Sequence, residues 1–182
     1  MNKILVAFVI AVLVFIYGVT EGLMVPKAEA GKSIRELKEV LERLGIKFKP
    51  FDPLTAIIIF LNNAAKSLLS ILLGITVIVP LFMLYVNGYI IGSIFKYVPL
   101  HYALLGILPH GIIELPAFIT AAALGVNIGL TLIAKFLLRK EYSLKREYKA
   151  SLKTFKIIAM ALLIAAFIET YITPLVVSII PK

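Results

Sequence analysis

Apolar residues along this chain fall in long blocks rather than at alternate positions. Residues 4–25 (ILVAFVIAVLVFIYGVTEGLMV) run apolar as far as Glu21, which is long enough for one membrane crossing and longer than a signal-peptide core. An uncleaved transmembrane helix is predicted there. Residues 26–53 change character abruptly. Ser33-Ile34-Arg35-Glu36 has the form of a capping box, and Ile34, Leu37, Val40, Leu41 and Leu44 recur at helical spacing before Gly45, so a short amphipathic helix is expected. Asp52-Pro53 then supplies an N-cap and an N1 proline for a second span reaching about Leu73. Further spans are expected at about 76–97, 100–122, 126–138 and 155–180. The segment 139–154 (RKEYSLKREYKASLKT) is too charged to enter a bilayer and reads as a surface helix or loop.

The pattern predicts an all-α, polytopic transmembrane helix bundle of about six spans. It forms a single integral membrane domain over 1–182: an N-terminal transmembrane helix (1–25), a cytoplasmic amphipathic segment (26–53) and a helical core (54–180). Composition agrees with it. The chain is 61% apolar and 16% charged, too greasy for a water-soluble domain of 182 residues, and six spans leave no room for a sizeable soluble domain. With no cysteine, disulfides, thiolate metal sites and Cys nucleophiles are excluded.

The net charge of +9 changes meaning once its positions are read. Segment 27–53 holds seven Lys or Arg, segment 139–156 holds another seven, and Lys96 and Lys135 fall beside span ends. With six alternating spans all of these share one side. Basic residues in short loops stay cytoplasmic, so both termini are expected to be extracytoplasmic in a multi-pass protein of the cell membrane. The charge is then an orientation label, and no nucleic-acid partner is expected.

Polar residues inside the spans carry the functional signal, because ionisable groups there are costly unless paired or used. Asn62, Asn63 and Lys66, Asn87, His110 and Glu114, and Glu169 all fall near the centres of their predicted helices. His110 and Glu114, four apart, share a helix face. Pro109, Pro116 and Pro174 leave the carbonyls of Leu105, Ile112 and Thr170 without their helical donors. Two carboxylates, an imidazole, three amides and loosened carbonyls at one depth suit a cation or a proton. Oxygen-rich ligation favours hard cations such as Mg²⁺, Ca²⁺ or Na⁺, and a Glu/His/Glu set also suits Zn²⁺ or Mn²⁺. The candidate metal ligands are therefore Glu114, Glu169, His110, Asn62, Asn63 and Asn87. Lys66 competes, since it can balance half of the carboxylate charge in a buried ion pair. No HExxH metalloprotease spacing, phosphate loop or nucleophile elbow is present, so the chain is read as a non-enzyme.

The Asn62-Asn63 pair, Asn87-Gly88, the string Pro109-His110-Gly111-Ile112-Ile113-Glu114-Leu115-Pro116, and Ala165-Ala166-Phe167-Ile168-Glu169 followed by Thr173-Pro174 resemble the stage II sporulation protein M family over roughly residues 54–178. The resemblance implies a polytopic membrane protein. In spore formers it also implies a membrane anchor for cell-wall-degrading partners of the engulfment machinery. Two functions follow as expectations: small-cation or proton-coupled transport through the mid-depth site, and a non-enzymatic scaffold that recruits protein partners in the lipid bilayer. Gly88-xxx-Gly92 and Gly125-xxx-Gly129 have the spacing for close helix contact, within the fold or in a homodimer.

Overall fold

The structure is a computed structural model describing residues 2–43, 48–137 and 143–179. Its elements are α1 (Lys3–Met24), α2 (Lys27–Arg43), α3 (Pro53–Leu72), a 3₁₀ turn (Gly74–Thr76), α4 (Ile78–Tyr97), α5 (Leu100–Leu137), α6 (Leu144–Phe167), a π turn (Ile168–Ile172) and α7 (Thr173–Ser178). The all-α, polytopic bundle is as the sequence indicates. Asp52 caps α3 as expected, its side chain accepting from Leu54 N–H at 3.2 Å.

Three local expectations are corrected. The amphipathic helix starts at Lys27, directly after Pro26, so Ser33-Ile34-Arg35-Glu36 lies inside α2 and does not cap it. Gly45, its expected stop, lies outside the described residues. The two spans expected at 100–122 and 126–138 are one 38-residue helix, α5. Gly125 does not break it, because Gly125 is buried against Ser70 and Gly74 and the tertiary contact holds the turn helical. Of the charged stretch 139–154, residues 139–142 lie outside the described residues, and the remainder is not a separate surface element. Ser143 caps α6, accepting from Arg146 N–H, and the helix runs unbroken into the apolar segment. The described residues thus contain five stretches long and apolar enough to cross a membrane.

Fusing the two spans changes the topology. α1 and α4 run parallel, since Gly18 meets Tyr85 and Gly22 meets Tyr89 and Ser93. Lys3 donates to Thr131 Oγ1 at 2.9 Å, and Tyr148 donates to the Leu72 carbonyl at 2.9 Å. The starts of α1 and α6 therefore lie at the end of the bundle that holds the 74–76 turn. Met24, α2 and the α4–α5 junction lie at the other. The described part of the two basic segments is split between opposite ends rather than gathered on one side, and the run from α6 into α7 finishes towards the α2 end. With five crossing-length stretches among the described residues, the start of α1 and the end of α7 lie at opposite ends of the bundle. At about 1.5 Å per residue α5 is about 57 Å long, against a hydrocarbon core of about 30 Å, so its last turns project past the 74–76 turn.

Two cores hold the bundle. One joins Ile71, Ala117, Ala121, Ile128, Ile158 and Leu162 of α3, α5 and α6, and the other joins Ala11, Leu84, Phe118, Ala122 and Ala123 of α1, α4 and α5. Alanine-rich faces let α5 approach all its neighbours closely, which is how helices associate where lipid offers no hydrophobic drive.

Candidate functional site

Four elements bring the mid-span polar residues together. Asn62 and Asn63 stand nine and ten residues into α3, counted from Pro53. Asn87 lies ten residues before the end of α4 at Tyr97, and His110 ten residues after the start of α5 at Leu100. Equal offsets across antiparallel neighbours put these side chains at one depth. Glu114 follows His110 by one turn, and Glu169 arrives on the π turn between α6 and α7. All six predicted ligands line one cavity of about 250 Å³.

Within it, one ligand atom each of His110, Glu114 and Glu169 lie within 4.8 Å of one another. Two donors on one ion at bond lengths of about 2.0–2.2 Å can be at most about 4.4 Å apart. The three side chains thus stand close to coordinating distance, needing only small rotations to close on an ion. His110 Nδ1 is 3.4 Å from Thr173 Oγ1, an orienting partner that leaves Nε2 as the ligand nitrogen. Asn62 and Asn63 bond each other, Nδ2 donating to Oδ1 at 3.4 Å, rather than bridging to another helix. Asn63 is buried, whereas Asn62 is exposed along the cavity.

Lys66 lies one turn beyond Asn62, half-buried and near enough to interact with the charges of Glu114 and Glu169. It does not line the cavity, and among the described residues it forms no ion pair with either carboxylate within 4 Å. The direct Lys66–Glu pair that competes with a metal is therefore not formed. His101, at the start of α5, is exposed and stacks on Tyr102 at 4.4 Å, away from the cavity.

Pro174 acts as its chemistry requires. Pro174 deprives the Thr170 carbonyl of its helical donor, and that carbonyl accepts instead from Phe51 N–H at 3.1 Å. The connection between α2 and α3 is thereby tied to the π turn that carries Glu169. Phe51 adopts φ 61 to make the bond, and its ring packs edge-on against Tyr171. From the same connection Phe48 reaches the cavity wall. Residue patterning hid these contributors, because an exposed Phe in a polar loop carries no periodic signal. The freed Thr170 carbonyl was readable from Pro174, but its partner was not. A single-turn π segment at Glu169 is a recurrent device for aiming a functional side chain out of helical register.

Both glycine motifs are used inside the chain. A Cβ on Gly88 would strike the Phe15 carbonyl, one on Gly92 the Val19 carbonyl, and those on Gly18 and Gly22 would strike Tyr85 and Tyr89. Gly125 and Gly129 face Ser70, Gly74 and Val77 in the same way. These faces are filled by neighbouring helices of the same protomer.

Against known proteins, the chain matches the family model of stage II sporulation protein M over residues 4–174, so the match takes in α1 and α2 as well as the core. It is 34% identical over 119 residues to the uncharacterized protein MJ0706 of Methanocaldococcus jannaschii, covering 63% of this chain and 54% of that protein. It is 42% identical over 89 residues to the uncharacterized protein MJ0793 of the same organism, covering 48% and 50%. The chain spans about half the length of the curated relatives it matches. No solved structure matches it. With nearly the whole chain inside one family model and a bundle of membrane-crossing length, this is a membrane protein of the stage II sporulation protein M family.

Proposed function

We propose that the protein binds and conducts a small cation through the His110/Glu114/Glu169 site, without enzymatic chemistry. The observation that carries the reading is the convergence of three ligand atoms within 4.8 Å inside a mid-depth cavity. Two carboxylates this close repel each other in low dielectric, and a divalent ion supplies the +2 that neutralises them while one imidazole nitrogen completes a mixed N/O set. That donor set suits Zn²⁺ or Mn²⁺ better than Mg²⁺ or Ca²⁺, which prefer oxygen alone. Asn62, Asn63 and Asn87 line the approach with neutral dipoles that replace water without trapping the ion. A proton shared between the two carboxylates is the alternative cargo of the same site, and proline-loosened helices at the midplane are the usual setting for either.

The test is thermal unfolding of detergent-purified protein against Zn²⁺, Mn²⁺, Mg²⁺ and Ca²⁺, followed by flux into proteoliposomes. A ligand at a hundredfold its Kd stabilises by about 2.7 kcal/mol, a shift of several degrees. The wild type should show that shift with Zn²⁺ or Mn²⁺, and the Glu114→Gln/Glu169→Gln variant should lose both shift and flux. Identical melting across all metals and across pH would discard the reading.

A scaffold reading rests on a separate observation. α2 docks on α4 with Gly31 against the Tyr97 ring and leaves a charged helix face exposed at one end of the bundle, a platform suited to a protein partner. It predicts that the double variant unfolds whether or not metal is added, and that a partner co-purifies from native membranes through α2.

A further inference from the structure

The charge of the bundle is unevenly divided between its ends. Among the described residues the α2 end carries seven Lys or Arg, six between Lys27 and Lys49 plus Lys96, offset by six carboxylates: Glu21, four in α2 and Asp52. The opposite end also carries seven, namely Lys3, Lys135 and five on α6, but a single carboxylate, Glu147. That carboxylate is already engaged, accepting from Asn127 Nδ2 at 3.0 Å. Cation counts are equal, and what differs is the number of carboxylates among the described residues at each end.

Those on α6 are organised. Lys149, Lys153 and Lys156 recur at i, i+4 and i+7 on one exposed face. With Arg146, Ala150 and Leu152 they line a shallow, open groove between side chains of α6 alone. Its depth in the membrane follows from helix geometry. Tyr148 donates to the carbonyl of Leu72, the last residue of α3, so this stretch of α6 stands at the level where the α3 span ends, with Lys156 about one turn nearer the hydrocarbon than Lys153. Lys153 and Lys149 lie progressively further out. Immediately inward, Ile157 and Met160 are 72% and 61% exposed, an apolar surface suited to acyl chains. Tyr148, bonded to the Leu72 carbonyl, pins this part of α6 to the end of α3, so the groove is a fixed feature of the bundle.

We propose that this groove on α6 is a binding site for the phosphate of an anionic phospholipid headgroup, with Lys149, Lys153 and Lys156 as its cationic contacts and Ile157 and Met160 against the acyl chains. Cations at headgroup depth above an apolar shelf match an amphiphile whose anionic phosphate sits over its chains. The proposal is independent of the cation site, because the two lie about 20 Å or more apart along α6.

Native mass spectrometry of the full chain in neutral detergent, titrated with phosphatidylglycerol, phosphatidylcholine or inorganic phosphate, tests it. Wild type should retain phosphatidylglycerol at least tenfold more strongly than phosphatidylcholine. Lys149→Gln/Lys153→Gln/Lys156→Gln should abolish that preference. Lys27→Gln/Lys32→Gln/Arg35→Gln, which removes equal charge at the other end, should keep it. The three lysines are exposed, so the triple variant should melt like wild type without lipid, and Lys149→Arg/Lys153→Arg/Lys156→Arg should restore retention if the Gln variant expresses poorly. Equal loss in both Gln triples would reduce the effect to net charge and overturn the site. Displacement of the lipid by millimolar inorganic phosphate would assign the groove to free phosphate instead, and no headgroup preference in wild type would overturn it outright.

Discussion

The α1–α4 interface and the cavity between α3, α4, α5 and the π turn share one helix, α4, and treat its two sides in opposite ways. On the first side Gly18, Gly22, Gly88 and Gly92 bring two parallel backbones together so closely that no side chain fits between them. On the second side Asn87 looks into a cavity of about 250 Å³ lined by two carboxylates and an imidazole. Without a hydrophobic drive in lipid, a helix pair gains stability from close packing, so small residues specify the first side. The second holds two carboxyl groups near one another beside a π turn, an arrangement that costs stability. Rigidity on one face of α4 is what allows the other face to be held open.

The largest effect expected from breaking this contrast is on the glycine side. Gly88→Ala places a methyl group against the Phe15 carbonyl, an atom of helix backbone that cannot rotate away, so α1 must shift as a body. A loss of about 2 kcal/mol or more is expected, at the upper part of the range for overpacking, and Gly18→Leu/Gly22→Leu should yield no folded species by size-exclusion chromatography. If Gly88→Ala melts within a degree of wild type, the two helices are not in backbone contact and the contrast fails.

On the cavity side the sign should reverse. In metal-free detergent Glu114→Gln removes one of two carboxylates whose ligand atoms lie within 4.8 Å of Glu169 and His110. Relief of that repulsion should raise stability by about 1 kcal/mol, while the metal-dependent increment of the wild type disappears. A drop in metal-free stability would identify Glu114 as a structural hydrogen-bonding staple and favour the scaffold reading.

These two regions were legible in the sequence to different degrees. The polar set was readable almost whole, because a Glu, His or Asn in a hydrocarbon-length apolar run is conspicuous, and the i, i+4 pairing of His110 with Glu114 follows from helix geometry alone. The glycine contacts were half legible. Gly88-xxx-Gly92 and Gly125-xxx-Gly129 were visible as close-packing motifs, but nothing local says that the first pairs with Gly18 and Gly22 of α1. Span counting failed at Gly125, where local propensity suggests a break and packing against Ser70 and Gly74 keeps α5 continuous. From that one continuity follows the separation of the described basic segments to opposite ends of the bundle, a consequence that no count of charges could reveal. The π turn was illegible as such. Pro174 announces a lost hydrogen bond, whereas the group that takes the freed Thr170 carbonyl, Phe51 N–H, comes from 119 residues earlier in the chain.

The smallest expected effect is the sharpest probe of dry against polar surroundings. Ser93, in the tight interface beside Gly22, and Thr170, on the π turn beside Glu169, both bury a hydroxyl that meets no hydrogen-bond partner among the described residues. A buried hydroxyl without a partner costs about 1–3 kcal/mol, part of which is recovered when it is deleted without leaving a void. At Ser93 the neighbours are close-packed backbone, with no room for water, so Ser93→Ala should stabilise by about 0.5 kcal/mol. Thr170 neighbours Glu169 on the π turn but is not part of the cavity wall, and its hydroxyl is as sealed from solvent as that of Ser93. Thr170→Val should then stabilise by about 0.5 kcal/mol as well. Chemical denaturation of the two variants in one detergent reads both changes directly. A gain in both shows that dry packing extends from the glycine seam to the back of the cavity wall, and a loss at Thr170 alone would show that water from the cavity reaches its hydroxyl.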